Sequence, residues 1–233
     1  MMLAIALGIS LLFLRWDGRP PAELGLDLSW RRAGELLAGF GGGAFLIGSA
    51  ALGTWLLLPF PWKINQSFQT TTAAWSLVWL LFGNATEELV FRGYSFERLI
   101  GAIGVWRAQL FTALLFAVFH MVNGWPWQSA LVGTTMGSIL FGLVFIRWRS
   151  VPAAVGVHVA GNWVRDLLLL DPPTGKTLFA PLAPRPWTFA EQIGTTAILL
   201  VLVVLACAGL WLSIRRRRMR NPDPARLDDL IAT

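Results

Sequence analysis

Residues 75–98 read WSLVWLLFGNATEELVFRGYSFER. A strongly apolar run ends here in two adjacent glutamates, Glu87 and Glu88, and an arginine, Arg92. The run is continuously apolar and does not alternate, so in hydrocarbon it satisfies its backbone as a helix and not as a barrel strand. An ionised carboxylate is costly in that setting, which makes an intramembrane acid a functional-site hypothesis by default. On a helix Glu88 and Arg92 are four residues apart and share a face. Glu87 is turned about 100° away and is free to meet a different partner. One glutamate therefore reads as half of a structural ion pair and the other as available for chemistry. The bland alternative is that all three groups sit at the interface and snorkel to water.

The rest of the chain has the same character. Of 233 residues, 55% are hydrophobic and only 14% charged, against about 25% charged in a soluble domain. Mean hydropathy is +0.60. Apolar runs fall at about 1–14, 33–58, 74–92, 106–122, 127–146, 151–170 and 191–214, most near the length that crosses a bilayer as a helix. The expected fold is all-α, a polytopic transmembrane bundle of seven to eight spans. The first run is short for a span and lacks a basic n-region, so it is a poor signal peptide. A further span upstream of Met1 is expected on that ground. The chain divides into N-terminal helices and loops (1–73), a core (74–170), an outer loop with the last span (171–214) and a basic tail (215–233). In the second run, Gly39 and Gly43 form a small-xxx-small pair, suited to close helix packing.

Charge sets the orientation. The net charge of +6 does not indicate nucleic acid, because much of it sits in RRRRMR at 215–220, directly after an apolar run. With that tail inside, the inner segments hold Arg15, Arg19, Arg31, Arg32, Arg92, Arg98, Arg107, Arg147, Arg149 and the tail's Arg215, Arg216, Arg217, Arg218, Arg220 and Arg226. The outer loops hold Lys63, Lys176 and Arg185. The bias favours a cytoplasmic C-terminus. Trp16, Trp30, Trp62, Trp106, Trp125 and Trp187 fall at run edges, where aromatic belts form. The single cysteine, Cys207, excludes an internal disulfide framework.

The only two histidines, His120 and His158, both lie in apolar runs. Phe116 and His120 are four apart, as are His158 and Asn162, so each pair shares a helix face. Arg165 continues the second stripe and reads as snorkelling to the outer interface. Each polar group is expensive alone in a membrane, and together they can satisfy one another. A glutamate and a histidine can activate water, while a second histidine and a carboxamide can stabilise an oxyanion. Glu87, His120 and His158 also make a three-ligand zinc set with an open position for water. No HExxH is present, and no serine or cysteine is placed as a nucleophile, so water-mediated hydrolysis fits better than covalent catalysis.

EELVFR at 87–92, FAVFH at 116–120 and HVAGN at 158–162 resemble, in order and spacing, the EExxxR, FxxxH and HxxxN motifs of the CAAX prenyl endopeptidase and bacteriocin-processing (CPBP, or ABI) family of intramembrane proteases. The resemblance covers about residues 74–170. It implies a helical membrane fold of about eight spans with hydrolysis of a peptide bond in or near the bilayer. It implies that Glu87 and His120 activate water, that His158 and Asn162 stabilise the oxyanion, and that Glu88 and Arg92 pair structurally. It is compatible with zinc and with a metal-free glutamate mechanism. The implied partners are a membrane-associated protein or peptide substrate and the lipid bilayer, in a bacterial plasma membrane. A non-catalytic scaffold or regulator of the same fold is the main alternative. A small proton-coupled transporter is a weaker one, because no broken-helix inverted repeat is evident.

Depth along the membrane adds one demand. If the third helix ended at the inner face with Arg92, Glu87 would lie about 8 Å from that face and His120 about 20 Å. The two meet only if helix continues through FERLI to about residue 100. A long or kinked third helix is therefore expected.

Overall fold

The computed structural model describes residues 1–57, 62–169, 174–181 and 187–220. Arg185, Arg226 and the tail beyond residue 220 lie outside the described residues. The elements in order are α1 (Met2–Trp16), a 3-10 turn (Pro21–Leu24), α2 (Trp30–Leu57), β1 (Trp62–Ile64), α3 (Thr70–Arg92), α4 (Tyr94–Ile103) and α5 (Val105–Val122). Then come α6 (Trp127–Ser129), a π-helical segment (Ala130–Thr134) that runs directly into α7 (Thr135–Trp148), α8 (Val151–Leu168), β2 (Phe179–Pro181) and α9 (Phe189–Arg220). Each apolar run of the sequence is thus a helix, and the run at 127–146 carries one π-helical interruption.

Four helical stretches are long and apolar enough to cross a membrane, at 30–57, 105–122, 127–148 and 189–220. α1 is apolar but shorter. Large apolar side chains such as Phe45, Leu56, Trp79, Phe111 and Leu205 are more than half exposed. A water-soluble surface rarely carries so much contiguous apolar area, and with the long apolar helices this makes the chain an integral membrane protein.

α8 lies at the centre of the bundle. All but one of residues 151–160 are buried, and α8 packs against α2, α3 and α7. Its sequence, VPAAVGVHVAGN, is small and β-branched, so neighbours come close on every side. It starts on Ser150, whose Oγ accepts the Ala153 N–H at 3.3 Å, with Pro152 in the first turn. The α2–α8 seam is the tightest. A Cβ on Gly39 would strike the Ala153 carbonyl, and one on Gly43 would come within 2.7 Å of the Val157 carbonyl. From the other side, a Cβ on Gly156 would strike the Leu36 carbonyl. The backbones touch because these positions lack side chains.

The two ends differ in chemistry. At one end, Glu97 accepts from Arg19 at 2.6 Å and from Arg149, tying α4 to the α1–α2 connection and to the α7–α8 turn. Tyr94 donates to Asp17 at 2.8 Å, and Arg98 lies 3.7 Å from the same carboxylate. Arg32 bonds Asp27 at 2.7 Å and Glu35 at 2.8 Å. Arg147 donates to Ser213 at 2.8 Å, and Arg217 to the Arg147 carbonyl at 3.2 Å. These arginines belong to the segments that the charge count groups on one side. At the opposite end β1 and β2 pair antiparallel, Lys63 opposite Ala180, and Trp62 meets Trp55 and Trp187 edge-on or tilted. This short ribbon is an addition to the all-helical expectation.

α3 stops at Arg92. Gly93, with φ −77° and ψ −140°, breaks the helix, and α4 resumes one residue later. The expected continuation is present as a break and a second helix. Ten more helical residues of α4 therefore separate the α3 terminus from Gly104.

Candidate active site

Glu88 is the organising residue. Its side chain is fully buried, and so is that of Arg92, whose Nη1 donates to Glu88 Oε1 at 3.2 Å. The same oxygen accepts from Nδ1 of His158 at 2.8 Å. Arg92 further donates from Nη2 to Ser138 on α7. Its guanidinium lies over the Phe116 ring at 4.6 Å and over the Phe141 and Phe91 rings at 5.5 and 5.8 Å. A buried cation so placed is held by a carboxylate, a hydroxyl and three aromatic faces together. The snorkelling alternative is therefore set aside, because Arg92 has no exposed surface. Glu88 also anchors His158, because α3 and α8 run antiparallel and bring residue 158 level with residue 88.

Glu87 is different. Its side chain is 24% exposed, and its Oε2 lies 3.7 Å from Nε2 of His158. His158 thus has a carboxylate on each side: Glu88 bonded at Nδ1 and Glu87 facing Nε2. Its ring stacks on Phe141 at 4.2 Å and 21°. With the Nδ1–H given to Glu88, Nε2 faces the exposed glutamate.

His120 reaches the same level by another route. α3 and α5 meet through aromatic rings, Phe91 on Phe116 at 4.9 Å and on Phe119 at 5.7 Å. One turn back along α3 from Phe91 is Glu87, and one turn onward along α5 from Phe116 is His120. The Phe116 ring lies 4.4 Å from His120 and 6.0 Å from His158. Both histidines are near enough to act on the Glu87 charge. Nδ1 of His120 is 2.8 Å from the Phe116 carbonyl, which can only accept. Nδ1 therefore donates to it, and in the neutral ring Nε2 is the acceptor. Trp125 closes over this ring at 5.1 Å, nearly perpendicular.

Asn162 lies one turn beyond His158 on α8. Its Nδ2 donates to Oδ1 of Asn84 at 3.4 Å, a long bond. Arg165 is apart from the set: it bonds Asp166 and is 40% exposed. The structure thus brings Glu87, Glu88, Arg92 and His158 into one contiguous cluster, with His120 against the Phe116 ring and Asn162 a turn away. A groove of about 590 Å³ lined by Thr72, Trp75, Trp79, Phe82 and Lys176 lies elsewhere along α3 and does not include the cluster.

Among the described residues no group of three or more His, Cys, Asp or Glu side chains is arranged to hold a metal ion. Glu87 and His158 face each other, and no step below is routed through a metal.

Three supporting residues escaped the sequence reading. Asn84 was legible in principle, being four residues before Glu88 on the same stripe. Ser138 and Phe141 come from α7, in no register with the motifs, and only the packing identifies them.

Residues 69–164 match the family described as type II CAAX prenyl endopeptidase Rce1-like. The long apolar helices are those of an integral membrane protein, and the matched segment is similar to CAAX-protease-type enzymes. The match supports the CPBP family suggested by the three motifs, and the matched segment contains all of them. No curated protein and no solved structure matches the chain.

Proposed function

We propose that this protein is an intramembrane endopeptidase that hydrolyses a peptide bond in a membrane-associated substrate. The observation that carries the reading is the division of labour between adjacent glutamates. Glu88 is sealed with Arg92 and His158, while Glu87 is partly open beside an imidazole. A scaffold has no use for a partly exposed carboxylate inside its bundle, where it is costly.

In the proposed reaction a water sits between Glu87 and Nε2 of His120, both acceptors. Glu87 takes a proton as the water oxygen attacks the scissile carbonyl carbon. The carbonyl oxygen becomes an oxyanion, which Asn162 Nδ2 and the Nε2–H of His158 stabilise. His158 donates from Nε2 as an imidazolium, its charge balanced by the carboxylates on either side. The tetrahedral intermediate then collapses, the C–N bond breaks, and Glu87 passes its proton to the leaving amine. We further propose that α1, α3 and α8 join the four long apolar stretches for seven spans, within the expected seven to eight, and that the basic end faces the cytoplasm of a bacterial cell.

The test is cleavage of a panel of membrane peptides by purified protein. Glu87→Gln and His120→Ala should each abolish cleavage while the protein remains folded in detergent, and a chelator should leave the wild-type rate unchanged. Wild-type rates in both variants would refute the assignment. Loss of activity on chelation, restored by zinc, would replace the metal-free mechanism with the Glu87, His120 and His158 metal set.

A further inference from the structure

Two rungs join α3 to α8. Glu88 meets His158 at 2.8 Å, and one turn further out Asn84 meets Asn162 at 3.4 Å. Asn84 is 4% exposed, and its Nδ2 is buried with no hydrogen-bond partner among the described residues. A buried amide N–H left unpaired carries a desolvation penalty. The bond from Asn162 uses only Oδ1, so it gives no reason for the amide N–H here. Asn84 is also three residues before Glu87, on the side of α3 that carries the cluster.

We infer that Asn84 is a further substrate-binding residue: its free Nδ2–H donates to a backbone carbonyl oxygen of the bound peptide while its Oδ1 holds Asn162. The inference rests on the endopeptidase reading and names what that site would grip. A peptide lying along α3 offers carbonyl oxygens as its regular acceptors, and the amide pair Asn84–Asn162 would read one of them next to the scissile bond. Binding then supplies the partner that Nδ2 lacks. Asn84 forms no bond with the nucleophilic water in this scheme and moves no proton.

The probe is a fluorescent peptide that the wild-type protein cleaves, prepared also as a series with one backbone carbonyl at a time replaced by a thioamide, a weaker acceptor. Its binding is measured to Glu87→Gln, which holds substrate without cleaving it, and to Glu87→Gln with Asn84→Leu. Asn84→Leu should lower affinity by about tenfold or more. At one position of the series the thioamide should weaken binding to Glu87→Gln and leave binding to the double variant unchanged. Asn84→Asp keeps the oxygen that Asn162 uses and lacks the donor, so it should lose affinity as well. Equal thioamide sensitivity with and without Asn84 would reduce it to a packing residue, and full affinity in Asn84→Asp would reduce it to a support for Asn162. Either outcome overturns this inference while cleavage stands. A wild-type protein that cleaves no peptide overturns the endopeptidase reading and this inference with it.

Discussion

Arg92 is fully buried, yet among the described residues its one carboxylate contact is Glu88 and its Nε has no partner. Truncating it would leave Glu88 charged in the core with His158 alone. Loss of one member of a buried pair costs about 3–5 kcal/mol. Arg92→Ala should therefore lower the melting temperature or the yield of folded protein, read by thermal scanning in detergent. An unchanged melting temperature with activity lost would place Arg92 in the reacting site instead. At this scale the sequence spoke clearly where partners were four residues apart. The Glu88–Arg92 pair follows from helix geometry alone. The His158–Glu88 bond spans 70 residues, and no local spacing reveals it. The Ser138 and Phe141 contacts are hidden for the same reason.

The α2–α8 seam governs the elements. α8 places His158 and Asn162, and its position is set by contacts between glycines and backbone carbonyls along α2. Adding a side chain here demands that whole helices move. Overpacking a core costs about 1–3 kcal/mol, and a clash with backbone lies at the upper end or beyond. Gly156→Leu should thus destabilise the protein and also lower activity in whatever fraction folds, because α8 carries half of the polar set. Gly161→Ala is the control: a Cβ there meets nothing within 4 Å. Equal activity per folded molecule in Gly156→Leu and Gly161→Ala would show that the seam does not position the site. Helix boundaries were largely legible, since apolar runs ended within a few residues of the observed termini. The break at Gly93 was legible only as a demand of depth, because a glycine inside FRGYS does not by itself announce a stop. The β1–β2 ribbon had no signal, being three residues long on each side.

The molecule as a whole is polarised. One end is laced by arginines and acids from the α1–α2 connection, α4, the α7–α8 turn and the end of α9, while the other carries the tryptophan cluster and Lys63. The sequence count foresaw this polarity because it needs only the order of helices. Which end faces the cytoplasm is a question for labelling. In a Cys207→Ser background, Lys63→Cys should react with a membrane-impermeant thiol reagent in intact cells. Arg216→Cys should react only after permeabilisation. The reverse pattern would invert the proposed topology, and with it the side from which substrate arrives.

The ion pair within α3 has a consequence for how the chain is made. α3 leaves the ribosome well before α8, so Glu88 must enter the bilayer before His158 has been synthesised. A carboxylate four residues from an arginine on the same helix travels with its own counter-ion. The segment can be handed to the lipid already neutral, and the imidazole arrives later to a carboxylate that is in place. The same Arg92 that steadies the finished bundle would then act first as a companion during insertion.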